Sequence, residues 1–186
     1  MKASSKRSNN LQGTVTCPGD KSISQRSVII GSLLDEDIQI NGFLFAEDPL
    51  STIGALRNLG HEIEIDNDIV SVKNSRKNIS DKKVSCNLGN SGTGFRLISG
   101  LIAGQEIDAE LKGDDSLSKR PMNRIIKPLN EMGAKIESNK GCAPLTFNKS
   151  QLVKEFLYKM PIASAQLKSC LLLAACLLYT SPSPET

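Results

Sequence analysis

The chain has no tryptophan and one histidine, and its aromatic residues number seven, five Phe and two Tyr, among 186. So few rings leave little for bases to stack on, which argues against a single-strand nucleic-acid binder. A lone histidine, His61, excludes a zinc site of the two-histidine kind. The five cysteines (Cys17, Cys86, Cys142, Cys170 and Cys176) are odd in number and never form a C-x-x-C pair. Neither a disulfide framework nor a zinc ribbon is indicated, and a reducing cytoplasm is the expected setting. Charge of one sign is also scarce: 23 basic against 20 acidic residues leave +3. That excess suits an anionic small molecule at a local site and is too weak to mark a nucleic-acid surface. Residues 1–10 are polar and lack the apolar core of a secretory signal. The longest apolar run, Cys170 to Leu178, is nine residues, half of what a membrane span needs. It reads as a buried helix.

What is present is a soluble globular composition, 39% hydrophobic and 23% charged, in a chain long enough to bury about 70% of its unfolded surface. The end of the chain is the exception. An apolar helix gives way to Tyr179-Thr-Ser-Pro-Ser-Pro-Glu-Thr186, and the stretch from Cys176 to Pro184 looks like a translated sequencing adapter. The expectation is a truncated piece of a longer protein whose natural sequence stops near Ala175, with 179–186 a non-native tail; a natural disordered tail is the alternative.

The sequence repeats with a period near 70. Gly133 follows Gly60 by 73 residues, Pro121 follows Pro49 by 72, Gly113 follows Gly42 by 71 and Arg96 follows Arg26 by 70. Lys168, 72 beyond Arg96, opens a third unit. Such a period is too long for the common solenoid repeats, so each unit holds several elements. Apolar residues at helical spacing mark helices from Arg26 and from Arg96, each after a polar, Gly-rich loop. Ile38-Gln-Ile and Ile107-Asp-Ala-Glu-Leu alternate as strands. Met122, Ile125, Ile126, Leu129 and Met132 mark a second helix, which Pro128 should kink or split. Glu62-Ile-Glu-Ile and Ile69-Val-Ser-Val, joined by Asp66-Asn-Asp, form a hairpin signal. The unit is strand, helix, strand, helix, strand, strand; the chain holds two units and the first helix of a third.

Three helix starts carry the chemistry. Pro18-Gly-Asp-Lys-Ser-Ile-Ser-Gln-Arg26 places Lys21, Ser22 and Arg26 where unpaired N–H groups and the positive end of the helix dipole favour an anion. Lys21 adds a point charge, Ser22 a hydroxyl and Arg26 a fork that matches phosphate or carboxylate oxygens. The glycine spacing is not that of a Walker A loop. Asn87-Leu-Gly-Asn-Ser-Gly-Thr-Gly-Phe-Arg96 is a second such loop, with Gly92 letting a ligand approach the backbone, and Ala163-Ser-Ala-Gln-Leu-Lys168 is the third. Arg120, ahead of the second helix of its unit, has the reach to join them. If the repeats pack around a pseudo-threefold axis, all three starts face one place and their donors add. Arg57, by contrast, reads as a solvated helix charge.

Pro-Gly-Asp-Lys-Ser, Gly-Asn-Ser-Gly-Thr-Gly-x-Arg, Asp-x-Ser-Leu-x-x-Arg-Pro-Met and Ser-Ala-Gln-Leu-Lys-Ser, in that order from about Gly13 to Ala175, resemble the successive motifs of the 5-enolpyruvylshikimate-3-phosphate synthase (3-phosphoshikimate 1-carboxyvinyltransferase) family. The resemblance implies an α/β protein of six such units in two lobes, an inside-out α/β barrel, with 1–178 a partial enolpyruvyl transferase domain. It implies a reaction as well: the 5-hydroxyl of shikimate 3-phosphate adds to C2 of phosphoenolpyruvate, and phosphate then leaves.

By that resemblance Lys21 is catalytic and touches both substrates. Ser22, Arg26, Ser164 and Ala165 hold shikimate 3-phosphate, Gln166 lies between the substrates, and Gly92 and Arg120 contact phosphoenolpyruvate. Asn90, Thr93 and Arg96 would shape their loop, and His61 would be structural. The family's proton-transferring aspartate and glutamate belong to the other lobe, so the chain alone is expected to be inactive. No cofactor, metal, nucleic-acid or membrane partner is expected, and the full-length protein is expected to be monomeric. The alternatives are a UDP-N-acetylglucosamine enolpyruvyl transferase, whose first loop reads Lys-Asn where this chain has Lys21-Ser22, and a non-catalytic phosphate-binding module.

Overall fold

The computed structural model describes residues 3–7, 10, 12–74, 83–153 and 155–178; the expected tail 179–186 lies outside them. The predicted repeat appears as two sheets of matching order. In the first unit β1 (Ile38–Asn41), β2 (Ile63–Asp66) and β3 (Ile69–Val72) form an antiparallel sheet ordered β1-β3-β2, reached through α1 (Lys21–Gly31) and α2 (Glu47–Asn58). In the second, β4 (Val84–Asn87), α3 (Gly92–Gln105), β5 (Ala109–Lys112), α4 (Asn123–Glu131), β6 (Lys135–Asn139) and β7 (Cys142–Asn148) build a sheet ordered β4-β5-β7-β6. Its last three strands repeat the order of the first sheet. β4 and β5 run parallel across α3, and the other pairings are antiparallel. The third unit contributes α5 (Ala165–Cys176).

Turn chemistry sets the hairpins. Asn67, at φ 49°, turns β2 into β3, and Lys140 and Gly141, at φ 51° and 80°, turn β6 into β7; such left-handed positions match the twist of the paired strands. One face of each sheet is then buried. Val70 and Val72 lie fully inside while Ile69, on the other face of β3, stays more than a third exposed.

At the centre of the helical layer is α3, with ten of its fourteen residues buried. Its approach to α5 is made by missing side chains: a methyl added at Gly100 would lie 2.1 Å from the Cys170 carbonyl oxygen, and one at Gly104 would lie 2.7 Å from that of Ala174. Leu167, Cys170 and Ala174, spaced at i, i+3 and i+7, form the buried stripe of α5 against it.

Three expectations change. The opening strand of each unit forms only in the second, as β4; residues 12–20 of the first carry no strand and pair with none of the described strands. Pro128 does not split its helix, because the bond it removes is the one to the Arg124 carbonyl near the helix start, and Ile125, Ile126 and Leu129 bury a stripe that carries the helix past it. The apolar run of α5 is only half buried: Leu172 is 59% exposed, since apolar residues encircle the helix while α3 covers one side of it.

Candidate functional site

Each of the three predicted loops ends in a helix whose first turn is capped by a side-chain oxygen. Asp20 Oδ1 accepts from Ile23 N at 2.8 Å, Ser91 Oγ from Gly94 N at 3.1 Å and Ser164 Oγ from Leu167 N at 3.3 Å. Each cap satisfies one of the donors that an α-helix leaves without an intrahelical acceptor, and the N–H groups at the first two positions remain pointed outward. Those positions are Lys21 and Ser22 in α1, Gly92 and Thr93 in α3, and Ala165 and Gln166 in α5. Five of the residues expected to bind substrate thus occupy these six positions, with Thr93 filling the remaining one.

The three starts are tied to one another. Gln25 Nε2 donates to Ser91 Oγ at 2.6 Å, joining α1 to α3; Gln166 Nε2 donates to Thr93 Oγ1 at 2.9 Å, joining α5 to α3; Arg26 Nη2 donates to Ser169 Oγ at 3.3 Å, joining α1 to α5. The first loop is pinned from behind as well, since a methyl on Gly19 would fall 2.0 Å from the Gly42 carbonyl oxygen at the end of β1. Loops separated by about seventy residues therefore share one face.

Positive charge collects there. Lys21 Nζ is half exposed and meets Asp48 Oδ2 at 2.9 Å. Arg26 folds back to donate to the Ser22 carbonyl at 3.1 Å. Around Gly92 two guanidinium groups close in: a methyl placed on its Cα would meet Arg120 Nη1 at 3.0 Å and Arg96 Nη1 at 3.1 Å. Arg96 donates to the Gly92 carbonyl at 2.9 Å. Burial, and then the charges of Arg120 and Arg124, hold its pKa below the ordinary arginine value. Arg120 donates to the Asn90 side-chain and backbone oxygens and to Ser116 Oγ. Asn90 is fixed in turn by Asp114 at 2.9 Å. Asp114 sits below the ordinary carboxylate pKa chiefly because its carboxylate accepts the Leu117 backbone N–H at 2.7 Å. This crowding of like charges around a glycine is what an anion would relieve.

Asn90, Thr93 and Arg96 make the internal loop bonds expected of shaping residues. His61 is 3% exposed with neither ring nitrogen hydrogen-bonded among the described residues, and burial lowers its pKa to about 4, so it is neutral at pH 7. Arg57 corrects the sequence reading. It is exposed, yet Nε and Nη2 both donate to the Ile63 carbonyl, at 2.9 and 2.5 Å, tying the end of α2 to β2.

Two participants escaped the sequence reading. Asp48, the Lys21 partner, left as its signal a carboxylate in the first turn of a helix. Gln25 sits fully buried beside Val28 and Ile29, a polar residue at a core-facing position of α1. The two buried thiols are not candidates: burial raises the Cys86 pKa to about 11 and, against weaker opposing contributions from Gly100 and Arg96, that of Cys170 to about 12.

Comparison with known proteins gives concordant matches. Residues 5–180 match the family described as EPSP synthase (3-phosphoshikimate 1-carboxyvinyltransferase). The 3-phosphoshikimate 1-carboxyvinyltransferase of Vesicomyosocius okutanii subsp. Calyptogena okutanii (strain HA) is 49% identical over 168 residues, 90% of this chain and 39% of that protein. That of Thermoanaerobacter sp. (strain X514) is 46% identical over 171 residues, 91% of this chain and 40% of that protein. The solved EPSP synthase of Acinetobacter baumannii superposes with a TM-score of 0.79 at 42% identity, covering 87% of this chain and 37% of that one. The chain thus spans about two fifths of the length of these relatives.

Proposed function

We propose that this chain, which belongs to the EPSP synthase (3-phosphoshikimate 1-carboxyvinyltransferase) family, forms one substrate-binding face of an enzyme that transfers the enolpyruvyl group of phosphoenolpyruvate to the 5-hydroxyl of shikimate 3-phosphate. The observation that carries the reading is the joining of three capped helix starts, each bonded to the others, with Lys21, Arg26 and Arg120 placed at them.

Both substrates are multiply charged anions, and outward N–H groups backed by cations are the complement they need. In this reading Ser22, Arg26 and the α5 start at Ser164 and Ala165 hold shikimate 3-phosphate. Gly92 lets phosphoenolpyruvate approach the start of α3, with Arg120 closing on its anionic group. Lys21 and Gln166 lie between the two. Lys21, half exposed, exchanges its ion pair with Asp48 for substrate oxygens.

The reaction balances as an addition and an elimination. The 5-hydroxyl gives up its proton and its oxygen bonds to C2 of phosphoenolpyruvate as the C2–C3 double bond opens and a proton reaches C3, giving a tetrahedral intermediate; loss of a proton from C3 then expels phosphate and restores the double bond. The face described here supplies positioning and charge stabilisation, and the proton transfers fall to the carboxylates that the family resemblance assigns to the second lobe. The 186-residue chain is therefore expected to bind shikimate 3-phosphate without turnover. Titration calorimetry with shikimate 3-phosphate, beside a phosphate-release assay with both substrates, tests this; heat-silent titration or release dependent on both substrates would refute it. In a full-length enzyme carrying these residues, a UDP-sugar acceptor in place of shikimate 3-phosphate should give no product.

A further inference from the structure

We propose that Gln25 is a positioning residue that holds the Lys21 loop in register with the Gly92 loop, a role that rests on the anion-site reading above. Gln25 lies fully buried on the face of α1 that also carries Val28 and Ile29. An amide at such a position is costly unless its bonds are made. Its Nε2 shares two N–H groups among three acceptors, Ser91 Oγ at 2.6 Å, Thr52 Oγ1 at 3.0 Å and the Asp48 carbonyl at 3.3 Å. Its Oε1 has no hydrogen-bond partner among the described residues. A group that leaves a buried acceptor unsatisfied is a poor choice for stability alone.

What the amide joins explains its presence. Ser91 caps α3 directly ahead of Gly92. Asp48 holds Lys21 through its carboxylate while its carbonyl faces Gln25. One NH2 group therefore touches the cap of the second anion helix and the residue that aims the lysine of the first, across 66 residues of chain. The second helix is pressed onto it: a methyl at Gly94 would lie 2.5 Å from Thr52 Oγ1 and 3.1 Å from Gln25 Nε2. Because a substrate lying between Lys21 and Gly92 would read the separation of those loops, a loosened amide tie should be felt as affinity.

Gln25→Met, in a full-length enzyme carrying this sequence, keeps the length of the side chain and removes the tie. Its former acceptors retain other bonds, since Ser91 Oγ still accepts from Gly94 N and Thr52 Oγ1 still donates to the Asp48 carbonyl. The expected result is a KM for phosphoenolpyruvate raised about tenfold with kcat within about twofold, the mark of lost positioning in the bound state. A purely structural glutamine would lower the active fraction, and so kcat, at unchanged KM; that outcome overturns the proposal. Should Gln25→Met fail to fold, Ser91→Gly cuts the same bond from α3 at a position where a helix start tolerates glycine, and an unchanged KM there overturns it equally. The double variant should be no worse than the more affected single one; additive losses would count against a shared tie. Arg26→Ala and Arg120→Ala separate the two readings. If both leave substrate affinity unchanged, the anion site itself is misplaced; if they weaken it while Gln25→Met does not, only the positioning role falls.

Discussion

Arg26 and Arg57 are both helix arginines, and the structure assigns them opposite consequences. Arg26 lies in the second turn of α1, donating to the Ser22 carbonyl and to Ser169 Oγ, at a helix start whose dipole and outward N–H groups favour anions. Among the described residues its guanidinium hydrogen-bonds to no carboxylate, so its charge is available to a ligand. A charge-assisted bond to phosphate in such a place is worth about 1.5 to 3 kcal/mol, or roughly ten- to a hundred-and-fifty-fold in affinity. Arg57 spends both donors on the Ile63 carbonyl. That exposed contact is worth about 1 kcal/mol, which corresponds to a fall in Tm of roughly 2 to 4 °C for a domain of this size. In a full-length enzyme carrying these residues, Arg26→Ala should therefore lose shikimate 3-phosphate binding by at least about tenfold and leave Tm nearly unchanged. Arg57→Ala should do the reverse. Titration calorimetry and differential scanning calorimetry on the two proteins give both quantities. Equal affinities for the two variants would mean that Arg26 is an ordinary solvated charge and that the first loop is not the phosphate site.

Four further outcomes follow from particular contacts. The pKa of His61 falls from an unfolded value near 6.5 to about 4 by burial, so its neutral form is favoured by the fold; the stability it allows is complete above pH 6.5, is lost as pH falls from there towards 4, and amounts to roughly 3 kcal/mol. Urea midpoints against pH for the parent and for His61→Leu should diverge below pH 6.5, and parallel curves would refute this. Gly92→Ala should keep Tm or raise it slightly, as helices prefer alanine by about 1 kcal/mol, but should raise the KM for phosphoenolpyruvate by pushing back Arg96 and Arg120; an unchanged KM would free Gly92 of its role. Gly100→Ala drives a methyl into the Cys170 backbone, so hydrogen exchange along α5 should accelerate more than along β7. Ile30, Leu34, Leu172 and their neighbours line an apolar groove of about 440 Å³ between α1 and α5, so the isolated chain should self-associate in sedimentation runs and Leu172→Glu should reduce this without unfolding it.

How far the sequence reaches is set by the range of the interactions involved. Period and turn chemistry are local, so the repeat, the β2–β3 hairpin at Asn67 and the stripe of Met122, Ile125, Ile126, Leu129 and Met132 were all legible, and each of those five side chains is buried. Strand pairing is not local. Nothing within residues 12–20 reveals whether a partner strand will lie alongside, whereas residues 84–87 find one in β5. Burial of α5 failed for the same reason: its composition states that it can be buried on every side, and only the placement of α3 decides which side is. The site divides along the same line. Helix starts announce themselves through the polar loops that precede a helical period, so the three loops around Lys21, Gly92 and Ala165 were legible in the sequence, while their caps Asp20, Ser91 and Ser164 emerge only from the structure. The ties between the starts were invisible, because a glutamine within an apolar stripe carries no sign of the serine 66 positions away that accepts its amide. Arg57 teaches the converse. An exposed arginine on a helix looks like a solvated charge until a strand brings a carbonyl within its reach, and its value then depends on a tertiary contact. Charge alone therefore does not separate a binding arginine from a structural one; the separation comes from which acceptors the fold has already given it.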